Sequence, residues 1–125
     1  MPKKHITAQK NLKPTQAVVR ELLDYSPMTG NFRWKRRKRK WFKSYRDWNA
    51  WNTRYAGKRA FTTGGPKLYS QGDIFGTAFP AHRIAFLWMT GRWPEPETDH
   101  INGIRNDNRW SNLREVTVSQ NQLNR

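Results

Sequence analysis

The sequence lacks cysteine and long apolar runs, and each absence excludes a class of protein. Without cysteine among its 125 residues, the chain has no disulfides and no thiolate zinc sites. Any catalytic metal must therefore take oxygen or imidazole ligands. No run of about 18 apolar residues is present, so we expect no membrane-spanning helix. The first residues, Met-Pro-Lys-Lys-His-Ile-Thr, lack the apolar core of a signal peptide, which favours a cytoplasmic protein.

Acidic residues are also scarce. Nine Asp and Glu stand against 24 Lys and Arg, and the net charge is +15. This balance indicates a polyanionic partner, and nucleic acid is favoured over a membrane because no amphipathic basic segment is present. On composition alone, a ribosomal-type or histone-like protein without chemistry fits equally well. The length suits a single domain with a modest core.

Half of the basic residues lie in one stretch. Residues 31–60 hold 12 of the 24 Lys and Arg, including six consecutive cations at 35–40. Like charges at this density repel one another, so we expect an exposed loop or strand extension that lies along DNA phosphates. The alternative is a solvated loop or a localisation signal. The residues assigned to DNA here are Arg33, Lys35, Arg36, Arg37, Lys38, Arg39, Lys40 and Lys43.

Aromatic residues interleave with this basic region. Their rings could stack on unpaired bases or wedge into a base step. In a chain of this size, filling the core is the favoured role for most of them. The residues are Trp34, Trp41, Phe42, Tyr45, Trp48, Trp51 and Tyr55.

Periodicity and turn residues predict a mixed α+β order of elements. Val18, Val19, Leu22 and Leu23 at helical spacing predict a helix over 15–23. The later predicted elements are a strand at 31–35, a helical turn at 47–54, strands around 68–69 and 74–75, a helix at 81–90 stopped by Gly91, strands at 97–101 and 113–116, and a final helix.

The stretch from residue 99 to 125 carries the chemistry. Asp99 and His100 stand at a predicted strand end, followed by an Asn-Gly turn and by the amide side chains of Asn112 and Asn121. Neighbouring side chains on a strand point to opposite faces, so the acid and the histidine share a site only where the strand ends or twists. The pattern suits one hard cation and one general base.

With these elements in order, the sequence resembles the HNH endonucleases, whose fold is also called ββα-metal. It resembles the variant of phage and intron-encoded nucleases in which asparagine replaces the last histidine. His100 matches the first histidine, Asn112 the central asparagine, Asn121 the last metal-binding position and Asp99 the second metal ligand. The resemblance continues more weakly upstream, through 81–88, 51–58 and 22–30.

The resemblance implies hydrolysis of DNA phosphodiester bonds. His100 is the general base, since it is the only well-placed group that accepts a proton near neutral pH. Asp99 and Asn121 hold Mg²⁺ or Mn²⁺ in a weak site that DNA completes, with Asn124 as the fallback ligand. Asn112 orients His100 by bonding the loop backbone.

Two further expectations concern neighbouring residues. Arg105, Arg109 and Arg114 are expected to bind phosphates near the cleavage point. For His82, a structural or phosphate-contacting role is favoured over a second catalytic histidine, because the downstream motif supplies its own base.

Together these observations predict a small single α+β domain. Residues 1–14 form a flexible basic tail, 15–80 a DNA-binding region, and 81–125 the ββα-metal nuclease unit. The predicted partner is double-stranded DNA, and no association with a membrane is expected. The protein is predicted to be a monomer or homodimer encoded by a phage or mobile element and to act in a bacterial host. The alternatives are a DNA-binding or architectural module that kept the fold without the activity, and an RNA-binding protein.

Overall fold

The computed structural model describes residues 13–64, 68–94 and 97–116. Within these ranges it contains three α-helices and three small antiparallel sheets, so the predicted α+β class is confirmed. The same ranges contain no helix long and apolar enough to cross a membrane. Nearly all of the predicted basic tail, together with the predicted final helix, Asn121 and Asn124, lies outside the described residues.

The elements follow one another in mixed order. The helices are α1 (Gln16–Leu22), α2 (Tyr45–Tyr55) and α3 (Ala81–Thr90), and short 3₁₀ turns occupy Arg39–Trp41 and Trp110–Asn112. The strands are β1 (Leu23–Tyr25), β2 (Phe32–Trp34), β3 (Arg59–Ala60), β4 (Gln71–Ile74), β5 (Thr77–Pro80), β6 (Glu97–His100) and β7 (Leu113–Val116).

Helix α1 begins at a capping threonine and ends one residue earlier than predicted. The Thr15 hydroxyl accepts a hydrogen bond from the Val18 N–H, which satisfies one free donor of the first turn. Leu23 was predicted to be helical, and that prediction is wrong because Leu23 pairs with Trp34 in the β1–β2 ladder. Both Leu22 and Leu23 are fully buried, so a helical and an extended residue occupy the same core. A three-residue strand is too short for its period to show in the sequence.

The sheet β1–β2–β3 and helix α2 carry the basic and aromatic stretch. The predicted strand at 31–35 is confirmed as β2, which pairs with β1 and β3. The predicted helical turn at 47–54 is confirmed and is longer, since α2 covers 11 residues. Ser44 begins it by accepting a hydrogen bond from the Asp47 N–H at 3.1 Å.

Strands β4 and β5 form a hairpin whose tip is Phe75–Gly76. A strand was predicted around Leu68–Tyr69, and this is wrong because both residues lie outside the strands and are exposed. The Tyr69 ring packs against two histidines downstream, and that tertiary contact replaces the predicted pairing. Pro80 ends β5 and directly precedes α3, where a missing N–H costs little because the first turn has no acceptor for it.

Helix α3 runs over the predicted residues and ends at Gly91, which adopts φ +86°. It packs on α1, and the Trp88 indole N–H donates to the Leu23 carbonyl at 3.0 Å. One buried cluster extends from Val19 in α1 through α3 to Leu113 in β7. The regions 15–80 and 81–125 therefore share a core, and their division stays a proposal about function.

Candidate active site

The site is built on the ribbon of β6 and β7. Asp99 lies opposite Arg114 in this ladder, and His100 lies opposite Leu113. The predicted Asn-Gly turn is present: the Gly103 N–H donates to the His100 carbonyl at 2.8 Å. His100 is thus the last residue of its strand, which ends one residue earlier than predicted. Its side chain is buried, with only 5% exposed.

Asn112 ties together the two ends of the loop that follows His100. Its amide oxygen accepts from the Asn102 N–H at 3.0 Å. Its amide nitrogen donates to the Asn102 side-chain oxygen at 3.0 Å and to the Asp107 carbonyl at 2.8 Å. Because Asn112 is also buried, these bonds exchange little with water and fix the path of the chain after His100.

Asn108 makes the direct contact to the histidine, and the sequence did not single it out. Its Oδ1 lies 2.8 Å from His100 Nε2, and both side chains are buried. An amide oxygen only accepts, so this contact takes a hydrogen from Nε2. In the sequence, Asn108 is one polar residue in a polar loop, and no local signal indicates that it alone turns inward.

The segment between β1 and β2 packs against the loop that contains Asn108. The Tyr25 hydroxyl donates to the Asn108 carbonyl, and the Trp110 N–H donates to the Pro27 carbonyl at 2.9 Å. Gly30 lies so close that a Cβ there would stand 2.3 Å from the Asn108 carbonyl carbon. The N-terminal half therefore determines where Asn108, and through it His100, is held.

Of the two predicted metal ligands, Asp99 lies in the described part of the chain and Asn121 lies outside it. Its side chain is about one-third exposed, and its Oδ2 accepts a charge-assisted bond from Arg114 at 2.8 Å. No group of three or more His, Cys, Asp or Glu that could hold a metal occurs among the described residues. A hard, partly exposed carboxylate fits a weak Mg²⁺ or Mn²⁺ site of two protein ligands.

Comparison with known proteins bears on this same segment. Residues 79–123 match the family model described as HNH endonuclease. This segment belongs to the HNH endonuclease family. No curated protein and no solved structure matches the chain. The family match indicates a nuclease of the HNH type with DNA as its substrate, although the family includes some non-catalytic members; such nucleases generally use a divalent metal ion.

The rings of His82 and Tyr69 pack against His100. The His82 ring lies 5.1 Å from the His100 ring in an edge arrangement, and the half-exposed Tyr69 ring lies 5.6 Å from it. His82 is itself buried, and its Nδ1 has no hydrogen-bond partner among the described atoms. Burial, helped by the nearby His100 and Arg83, lowers the pKa of His82 to about 4. This burial supports the structural role that was favoured for His82.

The buried His82 predicts a loss of stability in mild acid. Its pKa falls from an ordinary 6.5 to about 4 in the folded state, so only the unfolded chain takes up a proton between those values. Folding stability should therefore decline as pH falls from about 6.5 to 4, by about 3 kcal/mol from this group. Urea unfolding at pH 7, 5 and 4 measures the decline. His82→Phe should remove that part of it, and an unchanged pH dependence in this variant would contradict the assignment.

The three arginines assigned to phosphates occupy different positions, and Arg114 pairs with Asp99. Arg105 lies over the Tyr69 ring at 5.2 Å, and that ring packs against His100. Arg109 donates to Asp107 through two nitrogens, at 2.8 and 2.7 Å. These bonds from Arg109 lower the pKa of Asp107 to about 2. The Arg109 charge is thus balanced within the loop by Asp107.

The basic stretch is exposed as predicted, with one exception. Arg33, Lys35 and Arg39 each donate to a main-chain carbonyl and remain exposed, which leaves their charges available to DNA. Arg37 was predicted to be exposed and is buried, at 8% exposure. The exposure prediction is wrong at Arg37 because three aromatic rings surround its guanidinium. Cation–π contact offsets part of the cost of removing this charge from water.

Proposed function

We propose that this protein is a metal-dependent DNA endonuclease that uses His100 as the general base. The observation that carries the proposal is the His100–Asn108 contact at the end of β6. It holds a histidine with a proton on Nε2 and a free lone pair on Nδ1, at the position where the HNH family places its base. The position of Asp99, one residue earlier on the same strand, supports the proposal.

His100 has one task in this reaction. Its Nδ1 accepts a proton from the attacking water as the bond to phosphorus forms, which makes hydroxide available at neutral pH. Asn108 keeps the ring in the required tautomer and orientation, and Asn112 keeps the following loop closed. Cleavage follows when the bond between phosphorus and the 3′ oxygen breaks and that oxygen takes a proton from water, leaving 5′-phosphate and 3′-hydroxyl ends.

The cation has its ligands on the same unit. Asp99 and Asn121 would hold one Mg²⁺ or Mn²⁺, which would stabilise negative charge on the attacked phosphate when bound. Arg114 pairs with Asp99 and so competes with the cation for its carboxylate. Transfer of Arg114 to a DNA phosphate would release Asp99, so DNA and metal are expected to bind cooperatively.

The charge distribution suits duplex DNA as the substrate. The exposed cations of residues 33–43 contact phosphates, while Arg105 contacts the strand next to His100. A single site per chain nicks one strand as a monomer and cuts both strands only as a homodimer. A phage or mobile-element endonuclease of the homing type, acting in the cytoplasm of a bacterial host, is the setting that we propose.

A second candidate function has one observation in its favour. The Asp99–Arg114 pair engages the carboxylate on which the cation depends, as a lapsed site would. A non-catalytic DNA-binding or architectural module on an HNH scaffold would bind duplexes with a steep salt dependence and cut none.

Metal-dependent cleavage separates the two functions. We expect wild-type protein with Mg²⁺ or Mn²⁺ to convert supercoiled plasmid to the nicked form, and EDTA to stop the conversion. Asp99→Ala should require at least about tenfold more metal for the same rate, since even indirect metal contacts have effects of this size. Asp24→Ala, which removes an exposed carboxylate elsewhere, is the matched control and should need no more metal than wild type. Salt-dependent binding without cleavage under either metal would support the non-catalytic module.

A further inference from the structure

A second site lies away from the HNH unit, at the tip of the β4–β5 hairpin. There a cleft of about 390 Å³ opens between the hairpin, β2 and α2, within the size range of small-ligand pockets. The residues that line it include Trp34, Arg37, Trp51, Tyr55, Asp73 and Phe75.

Arg37 is the unusual member of this set. Its guanidinium carbon lies 3.9 Å from the Trp51 ring centroid and 5.3 Å from that of Phe75. Its Nε has no hydrogen-bond partner, and Arg37 forms no salt bridge within the described part of the chain. Burial lowers its pKa to about 10, so it stays charged at neutral pH. A buried cation without an anion is costly unless a ligand completes its bonding.

The position of Arg37 is built into the fold. Its N–H donates to the Asn52 side-chain oxygen at 2.8 Å, and its carbonyl accepts from Asn52 at 3.1 Å and from the Trp48 indole at 2.8 Å. Asn52 is buried inside α2, so these bonds hold the backbone on a rigid element. The backbone of Arg37 is therefore held in place beside the cleft, and its side chain forms part of the lining.

The chemistry of the lining selects a flat ligand with acceptors and donors on its edge. Aromatic walls favour a planar ring. The guanidinium of Arg37 donates to paired acceptors, and the exposed carboxylate of Asp73 accepts from N–H groups. A phosphate fits less well, because Asp73 repels it and Arg37 is the only cation lining the cleft among the described residues.

We propose that this cleft binds one unpaired DNA base, with guanine preferred. Guanine presents O6 and N7 as adjacent acceptors, the pair that arginine recognises, and N1–H and N2–H₂ as donors for Asp73. The exposed neighbours Arg36 and Lys38 can contact the phosphates on either side of the base. The proposal extends the DNA-binding role and does not depend on catalysis.

The cleft and the HNH histidine lie at opposite ends of one hairpin. Phe75 is at the tip, whereas Tyr69 and His82, which pack on His100, flank the other end. A four-residue strand separates the ends by roughly 13 Å. Base binding and cleavage are therefore separate events, and one can fail without the other.

The test measures binding in EDTA, so that no strand is cut. Labelled duplexes carry a single bulged guanine, a bulged adenine or an abasic bulge, and fluorescence anisotropy reports the affinity of the full chain. We expect the guanine bulge to bind at least about fivefold more tightly than the abasic bulge, the lower limit for stacking one base on an aromatic ring. Arg37→Met removes the donors for O6 and N7 and should abolish the preference for the guanine bulge over the adenine bulge. Arg36→Met, the exposed neighbour, should weaken all duplexes alike and keep the preference.

A second variant guards against misfolding. Asp73 is exposed, so Asp73→Asn should fold normally and should lose the preference for guanine over adenine. Equal affinity of wild type for all three bulges, or a preference for guanine over adenine that survives Arg37→Met, would overturn the proposal. A stronger preference for the same bulge in an RNA duplex would overturn the assignment to DNA. Because the assay contains no metal, failure here leaves the plasmid result unaffected.

Discussion

Replacing His100 with alanine should lower the rate of DNA cleavage by about 10²- to 10⁴-fold, the range in which a positioned general base contributes. The reason is structural as well as chemical. The contact with Asn108 fixes the position of the His100 ring, and among the described residues no other imidazole takes its place. His82 is too deeply buried, and its lowered pKa makes it a poor proton acceptor.

The measurement is single-turnover nicking of supercoiled plasmid with saturating protein, alongside DNA affinity in EDTA. Affinity should stay at the wild-type value, because His100 is buried and carries none of the basic surface. Asn106→Ala, an exposed change in the same loop, is the matched control and should cut normally. Added imidazole should restore part of the rate of His100→Ala by occupying the space that the side chain vacates. Undiminished cleavage by His100→Ala would remove it as the base.

Gly30→Ala should destabilise the fold by about 2–4 kcal/mol and reduce cleavage with it. Gly30 has φ +78°, which disfavours any side chain. The added Cβ would also stand 2.3 Å from the Asn108 carbonyl carbon and 2.4 Å from the Arg109 nitrogen. Neither neighbour is a flexible side-chain end, so the loop itself must move, and His100 loses its partner.

Gly57 offers a matched control for this change. It also has positive φ, at +83°, but a Cβ there meets nothing within 4 Å. Gly57→Ala should therefore cost only the backbone strain, about 1 kcal/mol, and leave cleavage intact. Urea unfolding and plasmid nicking measure both effects. Equal effects of the two glycine variants would show that the close approach at Gly30 does not matter.

Asn108→Leu should lower the rate of cleavage by roughly 10- to 100-fold, because His100 loses the side chain that positions its ring.

Secondary structure was predictable where one segment carries several agreeing signals. Helix α3 combines a 3.6-residue apolar period with a glycine stop, and β6 and β7 flank an Asn-Gly turn. The failures at Leu23 and at Leu68–Tyr69 have another cause. There the conformation depends on partners distant in the chain, Trp34 for the first and the two histidines for Tyr69.

The same distinction applies to the site. The bonds of Asn112 to the loop join residues within ten positions of one another, and a motif can encode such contacts. The hydroxyl of Tyr25 reaches Asn108 across 83 positions, and no sequence window contains both. Arg37 shows a further limit, because charge density predicts exposure and only the assembled rings reverse it.

The turn at 26–30 supports the loop that follows His100, and this support determines how much of the chain must be transferred to transplant the HNH motif. Tyr25 and Pro27 bind main-chain atoms of the loop, so the fragment 79–123 excised alone would lose the parts that align its histidine. A chimera that grafts this motif onto a foreign DNA-binding protein should carry the first β-hairpin with it. The smallest transferable unit is therefore longer than the segment 79–123 that matches the family model, whether it is transferred by protein engineering or by recombination.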